Sequence, residues 1–216
     1  RESLRDGGFI VAWKWSQVAT NWIVIFNFSY VAILVILRLL IPTPKQGIYS
    51  TARDLDIRNK RDRELFKSSF IATLTKARYE APFPAFLAFH ISNTAPMRWL
   101  MGPIFGPKSK SCYITEPLIL DPPFVEIGRN VVIGSKASIA GHIQVPNMVQ
   151  IKKTVIEDDV LIGANTIIFG GVTLKRGCMI AAGSVVPPYT TVGEYEYWSG
   201  VPAVKIRDMS PVSTEM

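Results

Sequence analysis

The chain has 216 residues, a formal net charge of +7, and two cysteines, Cys112 and Cys178. That length holds one or two domains. Two cysteines without a C-x-x-C pattern exclude a disulfide framework and a cysteine zinc site, and the basic balance, with no DNA-binding motif and no basic run interleaved with aromatics, ranks an anionic membrane face or a phosphate-bearing small molecule above nucleic acid.

Residue 1 is Arg rather than Met, so the sequence is compatible with a piece of a longer protein. Trp13 and Trp15 precede a strongly apolar run at 22–41, whose only polar side chains are Asn27, Ser29 and Arg38. Such a run matches the ~20 residues that cross a bilayer, with Trp at the interface and Arg38 near one end. A transmembrane helix is expected there, stopped by Pro42 and Pro44. A buried helix of a soluble domain is the alternative. A signal peptide fits poorly, because the apolar run is long and no small-residue cleavage site follows. Lys45, Arg53, Arg58, Lys60, Arg61, Arg63 and Lys67 follow the run, against Arg1, Arg5 and Lys14 before it. By the positive-inside rule the rest of the chain faces the cytoplasm.

The stretch 50–79 reads as a helix with an apolar stripe of Leu55, Leu65, Phe66, Phe70 and Leu74. It either lies on an anionic leaflet or packs on a neighbour with a solvated charged face. Residues 81–107 are rich in proline, and the apolar piece 83–91, which contains His90, is too short to span a bilayer. His90 reads as a structural histidine. Two domains are expected: 1–107, helical and membrane-associated, and 108–216. Ile119 and Val125 are expected to begin irregular strands.

In the second half an apolar residue returns every six positions. The run is Ile156, Ile162, Ile168, Leu174, Ile180, Val186, Val192, Trp198 and Val204, preceded by Ile127, Ile133, Ile139 and Val145. Neither the helical nor the strand period gives a strict six, whereas a parallel β-helix does. Four residues after each anchor sits a small or β-branched residue: Val131, Ala137, Val160, Thr166, Val172, Cys178, Ser184 and Thr190. These read as a second inward layer, with Cys178 a small core residue. Glycine after an anchor, as at Gly128, Gly134, Gly163 and Gly193, is expected to supply the backbone angles of tight corners. Val145 and Ile156 are out of step, so 146–154 is expected to loop out. The sole coil histidine, His142, follows Ala140-Gly141 beside that break. Neutral near working pH, a histidine there suits a general base; an exposed histidine of no consequence is the plainer reading.

The strings Ile162-Gly163-Ala164-Asn165, Gly170-Gly171-Val172-Thr173-Leu174, Ala182-Gly183-Ser184-Val185-Val186 and Trp198-Ser199-Gly200-Val201-Pro202-Ala203-Val204-Lys205-Ile206-Arg207 resemble the hexapeptide-repeat acyltransferases. Asp121-Pro122 with Val125-Glu126-Ile127-Gly128 is also similar to terminal acyltransferase-like modules of some peptide synthetases. The first resemblance implies a mainly β fold, a left-handed parallel β-helix, which here follows the α-helical, membrane-associated region read from 1–107. It implies a homotrimer that moves an acyl group from acetyl-CoA to a hydroxyl or amine, without a metal. It gives His142 the role of general base. It puts Ala164 and Ala182 along the pantetheine groove, with Arg207 and Lys205 as cations for the phosphates; a solvated basic edge is the alternative for those two. Pro187-Pro188 stands where many members carry Thr-Lys, and Val204 stands where the ending has its first basic residue. A small-molecule, sugar, surface-polymer or lipid-linked acceptor fits an enzyme tethered to a membrane.

The same fold serves zinc carbonic anhydrases that need three histidines. This chain has two in all, so that chemistry is excluded. A catalytically inactive scaffold or assembly subunit remains the second expectation.

Overall fold

The computed structural model describes residues 2–51, 55–79, 113–114 and 118–211. The proline-rich stretch, His90 and Cys112 lie outside the described residues. The first element is one long helix, α1 (Glu2–Leu40). It starts about twenty residues before the expected 22–41, and its apolar part runs Ile10–Leu40 with a mean hydropathy of 2.4. The Pro42 and Pro44 stop stands. Residues 10–26 are exposed, while Leu34 and Val35 are buried. Val35 joins the same cluster of buried side chains as the coil anchors, with Tyr30 packed against it.

The helix expected at 50–79 begins about ten residues later than that. Strand β1 (Gly47–Ser50) comes first and α2 (Lys60–Tyr79) follows. Asn59 caps α2, its Oδ1 accepting from the Arg61 N–H at 2.9 Å. The buried face is also different. It carries Asp62, Leu65, Ser68 and Ile71, spaced i, i+3, whereas Leu55, Phe66 and Phe70 are exposed. The α2 helix touches α1, β1 and the start of the coils.

The coils follow the six-residue ladder. The strands are β2 (Tyr113–Ile114), β3 (Leu118–Ile119), β4 (Val125–Ile127), β5 (Val132–Ile133) and β6 (Ser138–Ile139). After an excursion, β7 (His142–Val145) and β8 (Met148–Ile151), come β9 (Thr154–Ile156), β10 (Leu161–Ile162), β11 (Ile167–Ile168), β12 (Thr173–Leu174), β13 (Met179–Ile180), β14 (Val185–Val186), β15 (Thr191–Val192), β16 (Glu196–Gly200) and β17 (Ala203–Asp208). Three parallel sheets form the sides of a prism: β2-β5-β10-β13-β16, β3-β6-β11-β14 and β4-β9-β12-β15. Ile119 and Val125 do fall in strands, and β2 starts the stack earlier still.

The anchors from Ile127 to Ile139 and from Ile156 to Val192 are 2% exposed or less. Three expected anchors depart. Trp198 is half-buried, and Val204 is 54% exposed because β17 turns back antiparallel to β16. Val145 is 40% exposed because the chain has already left the prism. The second inward layer holds, apart from half-buried Thr190. Its buried hydroxyls are matched; Thr166 donates to the Gly163 carbonyl at 2.7 Å. Burial pushes the Cys178 thiol up to about 12, the behaviour of an inert core residue.

The corners use glycine differently from the expectation. Positive φ also recurs every six residues, but three after each anchor: Asn130, Lys136, Asp159, Asn165, Gly171, Gly177, Gly183, Tyr189 and Tyr195. Glycine next to an anchor answers to crowding instead. A Cβ on Gly163 would lie 2.3 Å from the Ala182 nitrogen of the next coil.

Candidate active site

The excursion is an antiparallel hairpin rather than a loop confined to 146–154. It leaves the prism at Ala140 and returns at Thr154, whose hydroxyl donates to the Ala140 carbonyl at 2.8 Å and ties the two ends together. β8 pairs with β7 on one side and with β1 on the other. A second apolar cluster of Tyr49, Leu65, Phe124 and Ile151 supports its base. His142 is the first residue of β7, so it stands on the hairpin and not on a coil rung.

His142 has a partner that sequence reasoning missed. Its Nδ1 is hydrogen-bonded to Asp121 Oδ2. Oδ2 also accepts from the Gly141 N–H at 3.2 Å, and Oδ1 accepts from the Ser68 hydroxyl at 3.2 Å. The Asp121 side chain is 4% exposed and the His142 side chain 26%. Asp121 precedes a 3-10 turn, Pro122–Phe124, where an aspartate normally caps with its carboxylate. Here the next two residues are prolines, which have no N–H, and the Phe124 N–H bonds the Asp121 main-chain oxygen at 2.8 Å. The carboxylate makes no capping bond and is spent on Gly141, His142 and Ser68. Asp before Pro-Pro was the available sequence signal; the separation of 21 residues from His142 hid it.

The Asp121 hydrogen bond raises the His142 pKa above the ordinary 6.5, against an opposing effect of burial. With Nδ1–H committed to a carboxylate, Nε2 carries the free lone pair. The pair can therefore take a proton from a nucleophile and hold it.

The other predicted residues sit elsewhere on the prism. Ala164 lies at the corner between β10 and β11, and Ala182 lies at the same corner one coil on. The two are joined through the Gly183 N–H, which donates to the Ala164 carbonyl at 2.8 Å. Ala164 is half-buried and Ala182 exposed. Lys205 and Arg207 lie on β17, beside Trp198 and Tyr197 of β16. β16 reaches this corner, since the Gly200 N–H donates to Ser184 Oγ at 3.2 Å. The Lys205 ammonium is held by Glu196 and Asp208, each at 2.7 Å, while the Arg207 guanidinium leans over the Tyr197 ring at 5.5 Å. His142 leaves from the following corner, beyond β6, so a whole side of the prism separates it from the alanine column within one chain. Among the described residues no cluster could hold a metal ion.

Residues 153–188 match the family model "hexapeptide repeat of succinyl-transferase". Over 85 residues the chain is 40% identical to 2,3,4,5-tetrahydropyridine-2,6-dicarboxylate N-acetyltransferase of Staphylococcus aureus, covering 39% of this chain and 34% of the relative. The chain thus spans about a third of the length of the curated relatives it matches. Among solved structures, a maltose O-acetyltransferase of Clostridium difficile superposes with a TM-score of 0.55 at 13% identity, over 77% of this chain and 94% of that one. A hexapeptide-repeat acetyltransferase of Vibrio cholerae, complexed with acetyl-CoA, gives 0.51 at 21% identity, over 75% and 96%. The coiled half of the chain has the fold that these acetyltransferases share, and residues 153–188 within it match the hexapeptide repeat.

Proposed function

We propose that the chain is a coenzyme A-dependent acyltransferase in which the Asp121–His142 pair is the base. The observation that carries this reading is the pair itself, built where the ladder is interrupted. His142 Nε2 removes the proton of an acceptor hydroxyl or amine as its oxygen or nitrogen attacks the thioester carbonyl. Asp121 fixes the tautomer and stabilises the imidazolium. The tetrahedral adduct collapses, the carbon–sulfur bond breaks, and the departing thiolate recovers the proton from His142. The thioester groove is assigned to the Ala164–Ala182 corner, where small side chains leave backbone groups approachable. Arg207 is assigned the first phosphate contact, because Lys205 is already paired with Glu196 and Asp208. A homotrimer supplies His142 and the alanine corner from different copies. The exposed apolar ridge of Val132 and Leu161 on one side of the prism supports such packing.

The exposed apolar part of α1 is proposed to cross a membrane with the prism on the cytoplasmic face, as the flanking cations suggest. The acceptor is then a sugar, surface-polymer precursor or lipid-linked molecule within reach of that face. The S. aureus relative, an N-acetyltransferase by name, leaves an amine acceptor open beside a hydroxyl. The commitment of Lys205 favours a second reading, a non-catalytic scaffold. Calorimetry with acetyl-CoA, followed by thiol release on a panel of sugars and amines, separates the two. Acetyl-CoA binding by the unaltered chain, with turnover that vanishes in His142→Ala while binding and the trimer are kept, supports the enzyme; an intact trimer that neither binds nor turns over acetyl-CoA refutes it.

A further inference from the structure

We propose that Ser68, on α2, is a positioning residue for the Asp121–His142 pair, so that the helical N-terminal stretch forms part of the catalytic apparatus. The proposal rests on the pair being the base, and its test needs no acceptor.

Ser68 is 7% exposed and Asp121 3%. A serine inside a helix commonly bonds back to a carbonyl three or four residues earlier. This chain does so elsewhere: Thr73 donates to the Ser69 carbonyl at 2.9 Å, and Thr20 to the Ser16 carbonyl at 2.8 Å. The Ser68 hydroxyl instead crosses to another element, 53 residues on, and donates to Asp121 Oδ1. The two donors from the hairpin, Gly141 and His142, both reach Oδ2. Among the described residues Ser68 is the donor to the opposite oxygen, and a carboxylate pinned through both oxygens cannot rotate about its own axis. Without Ser68 nothing described holds Oδ1, and a buried acceptor without a donor is costly.

Among the described residues, charged groups on the neighbouring elements are already engaged. On α2, Asp62 accepts from the Asp56 N–H, and Lys67 pairs with Glu64. Beyond the 3-10 turn, Glu126 pairs with Lys153, and Lys152 closes the base of the hairpin through its main chain. Asp121 is the charged group that acts on His142.

The test is histidine titration by NMR on the full chain in lipid nanodiscs, with 13Cε1-labelled histidine. The sequence has two histidines, so His142→Gln assigns the signal and His90 serves as an internal reference. In Ser68→Ala the carboxylate is released at Oδ1 and turns away from Nδ1, so the contact that raises the His142 midpoint is weakened and the midpoint moves down. Ser68→Thr, which keeps the hydroxyl, restores it, and Ser69→Ala on the exposed side leaves it unchanged. An upward move in Ser68→Ala overturns the assignment, because it means that the carboxylate keeps its place on Nδ1 without the serine. A folded Ser68→Ala protein with an unmoved midpoint overturns it and leaves Ser68 a packing residue. An ordinary His142 midpoint in the unaltered chain would refute the pair itself, a different failure.

Discussion

Gly170→Ala tests the geometry of the site without touching any group that takes part in the chemistry. Gly170 follows β11 and passes under the first residue of the hairpin. It is buried, and its φ is not in the left-handed region, so alanine meets no backbone penalty there. The added Cβ would lie 2.7 Å from the His142 carbonyl oxygen and 2.8 Å from its carbonyl carbon. Carbon atoms settle at ~3.5–4.0 Å, so the hairpin base must move by roughly 1 Å. The neighbours are backbone atoms, which cannot rotate aside. Overpacking of this kind costs about 1–3 kcal/mol, or about 2–4 °C in melting temperature per kcal/mol for a chain of this size. A misplacement of ~1 Å at a reacting group can cost about 100-fold in rate. The expected result is a small drop in melting temperature with a disproportionate loss of thiol release. Full turnover with an unshifted His142 signal would show that the hairpin base does not set the position of the histidine.

Raised by Asp121, the His142 pKa lies above 6.5 in the folded chain. The base is neutral only above that raised value, so the acid limb of kcat/KM should lie above 6.5. The stabilisation from the pair is complete below 6.5 and is lost as pH rises through the raised value. Asp121→Asn should bring the acid limb down and flatten this part of the melting-temperature profile, read by pH–rate curves and melts on either side of 6.5. Ile168→Ala removes an anchor that is 0% exposed and should cost about 2–5 kcal/mol in denaturant titrations. Cys178 should resist thiol reagents in the native state and react once the coils are denatured, because its thiol titrates only near 12; rapid native labelling would refute its placement in the core.

The coil could be read from the chain because every coil repeats the same contacts at the same spacing. The period names Ile156 through Val192 without knowledge of the three-dimensional structure. It fails at Val145 and Val204, where apolar residues keep the step by coincidence after the chain has left the prism or reversed. His142 was legible as a singular histidine beside a break. Asp121 and Ser68 were not, since nothing periodic links a residue of α2, a turn and a hairpin. Their association exists only after β1, β8 and α2 have packed together. The composition of 50–79 promised one amphipathic helix but gave no sign that it would start only at Lys60, or that the strand Gly47–Ser50 just before it would border the hairpin.

The burial of Val35 with the coil anchors has a consequence for the order in which the chain is made. α1 is synthesised before any coil, and Val35 must wait for coil partners that begin with Ile119. Contacts between such distant parts of a chain form late, since a long loop must close first. Until then a long apolar helix is without its partners in the coils, a state prone to aggregation in water. If α1 is already held in lipid, the coils assemble on a fixed nucleus and the hazard disappears. The coils produced without α1 would lack one of their own core residues, and reduced solubility of that piece is the expected symptom.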